Sequence, residues 1–519
     1  MFPLALFACF ATANAYLWPN PALDEVESLL YEIVIDTSSL VFFVSPCDTF
    51  TGTGGTISGR SNAADWIRTA YHDMATHNVT DGTGGMDASI RFAEEQARLE
   101  NAGDGFSNTL SVLTGFSTRY VSIADILAIG AVMAVERCGG PQIPFRAGRV
   151  DATEPNPPGV PQPQDPLQSH IATFAREGFT QTEMISLVAC GHTFGGVQHD
   201  PFPNIVPELT DPGNTQSVAH FDTTNVHFDN NVATEYISGT TQNPLVVGFN
   251  DTTNSDKRIF GSDGNVTMQS FANSPDLFAS TCAALFARML DTVPSGVQLS
   301  DVINPMLVKP ATPIFTLDGD VLRFTGRVRF WNLTANANRV VTLLWNDHLG
   351  GAHSSTLLSS LESSTTYPYG VATSYIFGNS SDDGLLLDPA AGITTMRFSV
   401  DGKLEDQGGV GFAVQDGFAF STTSCFFDNN GTAQYDVAVR NGVNLTSLYI
   451  ETEQRDNTGH VGVTETANFA PSGRTANAAY SIWTVNLSGS PFTRYVGAEI
   501  DGVKFSTALV IPLPALPSC

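Results

Sequence analysis

A chain of 519 residues exceeds the size at which one hydrophobic core usually keeps growing, so two or three domains are expected. Hydrophobic residues at 42% and charged residues at 15% exclude a disordered chain. The formal charge of −28 argues against nucleic acid as a partner, because phosphate binding needs lysine and arginine.

The first predicted element is an apolar run, Phe2 to Phe10, followed by Ala13-Asn14-Ala15. This small-x-small pattern reads as a signal peptide over residues 1–15, cut after Ala15, and hence as a secreted protein. No later run reaches the roughly 20 apolar residues of a membrane helix, so no membrane span is expected. Removing Cys9 with the signal leaves Cys47, Cys138, Cys190, Cys282, Cys425 and Cys519, an even set without metal-type C-x-x-C spacing. The pairing stays open, although chain position favours Cys425 with Cys519. N-x-[ST] sequons at Asn78, Asn250, Asn265, Asn332, Asn379, Asn430, Asn444 and Asn486 fit a glycoprotein.

From about residue 60 to 290 the pattern is helical. Ser122 and Asp125 read as a capping box before Ile126–Val135, which Gly139-Gly140-Pro141 ends. Thr180 and Glu183 read as a second box, before Met184–His192, closed by Gly195-Gly196. Ser274-Pro275 opens a third helix, with Leu277, Phe278, Cys282, Leu285, Phe286 and Met289 at helical spacing. Beyond about Pro305 come short alternating runs rich in Val, Phe, Thr and Tyr, such as Val321–Phe324 and Val328–Phe330, broken by Gly, Asn and Asp. The expected organisation is therefore multidomain: a mostly α-helical domain over 16–300, then a β-sandwich-type region over 301–519. A weak internal echo pairs Ser374–Phe377 and Phe398–Gly402 with Tyr480–Trp483 and Ala498–Gly502, with which two similar sandwiches of about 100 residues each are compatible, as is a single one.

Two histidines stand out. Arg68 and His72 lie four residues apart in Asp65–Asp73, on one face of a helix with their heads close together. Heterolysis of peroxide needs a base that moves a proton between the two oxygens and a fixed cation for the charge that develops; His72 and Arg68 have those properties. Alone, an R-x-x-x-H pair is a weak signal. His192 follows the apolar stripe of Met184 and Val188, which would hold its ring against a buried group; a core histidine bonded to a carbonyl and a haem ligand both fit.

Together these segments resemble the haem peroxidase superfamily of plants, fungi and bacteria, over roughly residues 55–295. Arg68-x-x-Tyr71-His72-Asp73 is similar to the distal motif and Ala189–Gly195 to the proximal one. Gly84–Phe92, Asn101-Ala102-Gly103, Gly139-Gly140-Pro141 and Gly148–Asp151 match further segments in order. The resemblance implies haem b with His192 on the iron, Asp256 (in Ser255–Phe260) accepting from His192, and Tyr71 beside the haem. It also implies His72 as acid/base, Arg68 as electrostatic clamp, and Asn101 as the acceptor that orients His72, with Glu95 orienting Asn101. Hydrogen peroxide would be reduced through a ferryl intermediate at the expense of a small, aromatic one-electron donor. Two calcium ions are implied as well. The proximal one falls to Thr193, Asp222, Thr224, the His227 carbonyl and Asp229, and the distal one to Asp73, Gly85, Asp87 and Ser89.

The departures restrict the donor. Tyr71 stands where secreted relatives have Phe and intracellular ones Trp, and no Trp lies between His192 and Asp256. The manganese-site positions read Ser61, Asp65 and Gln198, the surface-tryptophan position is Leu187, and Pro201 stands near the place of an ascorbate-binding arginine. A second reading, of a different class, makes the helical half a vestigial haem carrier and the β-rich half a cell-wall or glycan-binding module, with Trp331, Trp345 and Trp483 as stacking surfaces.

Overall fold

The computed structural model of the chain describes residues 20–32, 39–333, 336, 338–366, 370–378, 384–427, 431–466, 469–488, 494–506 and 516–519. The signal-peptide reading and the sequons at Asn379 and Asn430 lie outside the described residues. Residues up to Leu290 are mostly helical and those from Val308 onward form sheets, so a helical domain is followed by a β-rich region.

Local chemistry accounts for the helices that carry the site. Ser61 caps Asn62–Met74 by accepting from the Ala64 N–H. Thr180 and Glu183 close a full capping box on Gln181–Gly191, and Ser274 caps Pro275–Leu290 with Pro275 in the first turn. The box expected at Ser122 is only half formed. Ser122 does cap Ile123–Arg137, but the Asp125 carboxylate is drawn to Arg149, 2.8 Å away, and to the Gly148 N–H. A buried guanidinium outcompetes a backbone donor because the charge-assisted bond is the stronger. Ile123–Arg137 is buried from Ile123 through Glu136 and forms the centre of the domain. Disulfides Cys47–Cys138 and Cys190–Cys282 tie this domain, and Cys425–Cys519 ties the β-rich region.

In the β-rich region the two runs around Val321 and Val328 form one strand, Val321–Trp331. Gly326 sits inside it at φ 155, where a Cβ would lie 2.8 Å from the Phe377 ring; the glycine is there for a close approach, not for a turn. The echo in the sequence corresponds to two Asp-Gly hairpins, Asp401-Gly402 and Asp501-Gly502, all four residues at positive φ. The two halves share a sheet. One ten-stranded sheet runs through both; a five-stranded sheet packs on it around Phe324, Phe330 and Phe398, and a four-stranded one around Tyr435, Ile450 and Val496.

The two regions are bonded to each other by charge. Glu27, on the helix Pro21–Tyr31, is fully buried and pairs with Lys309 at 2.8 Å and Arg329 at 2.6 Å. On a second flank Arg119 pairs with Glu451 and lies 3.3 Å from the Tyr495 ring centre, while His460 Nδ1 is 2.9 Å from Asp151.

Candidate functional site

The helices Asn62–Met74 and Gln181–Gly191 bring Arg68, Tyr71, His72 and His192 to one cavity of about 550 Å³, in the range of cofactor sites. Much of its lining is apolar, including Ile67, Phe194, Val197, Leu245, Ile259 and Met289.

On the Asn62–Met74 side, His72 Nδ1 lies 2.7 Å from Asn101 Oδ1. Asn101 Nδ2 donates at 2.7 Å to the main-chain carbonyl of Glu95, so the amide orientation is fixed with its oxygen towards His72. His72 therefore carries its proton on Nδ1 and keeps Nε2 as a base. Glu95 orients Asn101 through its carbonyl, and its carboxylate accepts the Asn156 N–H instead. Burial, then the Arg68 charge, holds His72 down at about 3, so the imidazole is neutral. Arg68 donates to the Ala102 carbonyl at 3.0 Å and lies over Phe106, 4.5 Å from the ring centre. Burial lowers it to about 10, which leaves it charged at neutral pH. Tyr71 stacks on Phe174 with ring centres 5.9 Å apart; its hydroxyl is buried, and burial together with Glu177 pushes the phenol well above its ordinary value.

On the opposite helix, His192 Nδ1 lies 2.7 Å from Asp256 Oδ2, which also accepts from Asn243 at 2.8 Å. With Nδ1 engaged, Nε2 is the nitrogen left for a metal. The His192 ring is clamped by Phe221, stacked at 4.0 Å. Asn243 and Phe221 carried no sequence signal, because each gains its meaning only from the tertiary neighbour.

The proximal oxygens are together. Thr193 Oγ1 bonds the Asp229 carbonyl at 2.8 Å, and Thr224 donates through its N–H to Asp222 Oδ1 at 2.9 Å. Asp222 Oδ2 is buried without a hydrogen-bond partner, and burial, with Asp229 and Glu235 nearby, raises its carboxyl to about 7. An orphaned carboxylate among hydroxyl and carbonyl oxygens fits a hard cation. The His227 side chain is exposed, in keeping with a role for its carbonyl alone. The distal group is differently arranged: Asp73 accepts from the Asp87, Ala88 and Ile90 N–H groups, and Asp87 from Ser89 and Asn156. Gly85, at φ 114, runs against the Thr292 carbonyl, where a Cβ would stand 2.6 Å away. Among the described residues no group of three or more His, Cys, Asp or Glu side chains is placed to hold a metal.

Residues 55–274 match the family model described as Peroxidase. The helical domain belongs to the peroxidase family. Similar proteins include a WSC domain-containing protein of Arthroderma benhamiae, 38% identical over 67% of this chain and 48% of that protein. L-ascorbate peroxidase 5, peroxisomal, of Arabidopsis thaliana is 32% identical over 36% of this chain and 61% of its own length. Mitochondrial cytochrome c peroxidase of Cryptococcus neoformans is 34% identical over 23% of this chain and 33% of its own length. The matches thus span about half or somewhat more of the first two relatives. The match to the Arthroderma protein covers 358 residues, too many to lie within the first 300, so it reaches into the β-rich region.

The positions read for manganese are engaged otherwise in this peroxidase domain. Ser61 caps its helix, Asp65 pairs with Arg60 at 2.8 Å, and Gln198 donates to Gln216. In the β-rich region Trp331 and Trp345 are buried, at 7% and 8% exposure, and so offer no open stacking surface.

Proposed function

We propose that the protein is a secreted, haem-dependent peroxidase that reduces hydrogen peroxide and oxidises small aromatic one-electron donors. The observation that carries this reading is one cavity with His192, backed by Asp256, on one helix and His72, with Arg68, on another. His192 Nε2 would hold the iron of haem b, which when bound supplies the redox chemistry. The Asp256 carboxylate fixes the His192 tautomer and makes the ring a stronger donor. His72 Nε2 takes the proton from one peroxide oxygen and returns it to the other, and Arg68 stabilises the negative charge on the departing oxygen. Asn101 keeps that nitrogen free. Apolar lining by Leu99, Val160, Pro161, Pro163 and Phe202 supports an aromatic donor. Asp222, Thr224, Asp229 and Thr193 support one calcium ion beside the proximal histidine. Three disulfides, and six described sequon asparagines of which none is buried, support export.

The test is a spectrum. The purified protein is expected to show a haem Soret band that shifts on adding hydrogen peroxide; no band, or one indifferent to peroxide, sinks the reading.

The pH dependence follows from His72. Its folded value lies far below the ordinary 6.5 or so of histidine, so the neutral base persists through the interval between and is lost only as pH falls towards about 3. Stopped-flow rates of reaction with peroxide are expected to stay level from about pH 8 to about pH 4. An inflection near the ordinary histidine value contradicts this picture.

A further inference from the structure

In the distal oxygen cluster an amide lies against two of the residues to which the resemblance assigns a cation. Asn156 Nδ2 lies 3.0 and 2.9 Å from the two carboxylate oxygens of Asp87, 3.0 Å from Ser89 Oγ and 3.3 Å from Thr76 Oγ1. The Asp87 carboxylate only accepts, which fixes the amide with its nitrogen inward. The Asp73 oxygens are already taken by three main-chain N–H groups at 2.8 to 3.1 Å. A group with two N–H donors thus occupies the side-chain oxygens of Asp87 and Ser89, two of the four residues to which the resemblance assigns a metal.

The same residue is tied to the catalytic side. The Asn156 N–H donates to the Glu95 carboxylate, and the Asn156 carbonyl accepts from Arg98. The Glu95 carbonyl then accepts from Asn101, which accepts from His72. All members of this chain except Arg98 and Asn156 are at least 92% buried, so its geometry is set by packing rather than by solvent.

We propose that Asn156 is a built-in replacement for the distal cation, leaving the domain with one calcium site, and that it acts as a positioning residue for His72 through Glu95 and Asn101. The second half rests on the peroxidase reading of His72; the first does not. Asn156 touches no reacting atom. Its part is to hold Glu95 where the Asn101 amide keeps the His72 proton on Nδ1.

The experiment counts calcium and times the peroxide reaction in the holoenzyme. Protein equilibrated with calcium chloride and desalted is expected to retain one calcium per chain by atomic emission; two per chain overturns the replacement. Asn156→Asp turns the inward donor into an acceptor while keeping the main-chain bonds, and is expected to bind one calcium more than the wild type. No increment overturns the replacement as well. Asn156→Ala is expected to slow the reaction with peroxide roughly tenfold, with the KM for the electron donor unchanged. Asn156→Asp freed of calcium is expected to be slowed as well, and added calcium is expected to bring its rate back towards the wild-type value. An unaltered rate in Asn156→Ala, or a loss confined to the donor KM, overturns the positioning role. If the wild type binds no haem the peroxidase reading fails, while the calcium counts still decide the replacement.

Discussion

Replacing His72 with leucine is expected to slow the reaction with hydrogen peroxide by roughly 10²- to 10⁴-fold, the usual worth of a positioned acid/base group. Leucine keeps apolar contact with Phe106, whose ring centre lies 4.9 Å from that of His72, so the packing of the Asn62–Met74 helix should survive. What disappears is the histidine whose Nδ1 is held by Asn101 and whose Nε2 is thereby left as a base; of the other histidines of the lining, His170 lies on Leu167–Glu177 and His192 is engaged by Asp256. Arg68 remains, still oriented by the Ala102 carbonyl, and its charge alone accounts for the residual rate. The loss should appear in the bimolecular step with peroxide, read by stopped flow at the Soret band, and not in haem content. A variant that reacts within a few-fold of the wild type removes His72 from its proposed role.

The pair Arg68 and His72 was legible because both partners sit on one helix, and a spacing of four residues is enough to bring their heads together. His192 was legible as a candidate for the same kind of reason, an apolar stripe leading up to it, although its meaning needed the second motif. Asp256 was reached only through the resemblance, since nothing local distinguishes one aspartate in a polar stretch. Asn156 was not reached at all. It lies in the segment Val150–Pro166, where the structure has neither helix nor strand, and its partners Asp87, Ser89 and Glu95 are 69, 67 and 61 residues away. Periodicity carries no information across such distances. The shared ten-stranded sheet was missed for a related reason: alternation reports which face of a strand is buried, but not whether two similar halves are joined edge to edge.

Glu27→Leu is expected to destabilise the protein by about 3–5 kcal/mol, the cost of breaking a buried ion pair from one side. Glu27 has no solvent exposure, and its two oxygens accept from Lys309, from both terminal nitrogens of Arg329 and from the Met306 N–H. Lys309 and Arg329 are each 2% exposed, so removing the carboxylate leaves two buried cations with Glu32 as their one paired carboxylate among the described residues. The cost should fall on the join between the regions, because Glu27 belongs to the helix Pro21–Tyr31 while Lys309 and Arg329 belong to the first strands of the β-rich region. Denaturant unfolding followed by fluorescence is expected to show the midpoint falling, with the Soret band lost at lower denaturant than in the wild type. Replacing all three charges with apolar residues, Glu27→Leu with Lys309→Met and Arg329→Met, is expected to recover much of the loss, because the expense lies in unpaired buried charge and not in missing attraction. If the single and triple variants unfold alike, close to the wild type, then water reaches these side chains and the two regions are joined by packing alone.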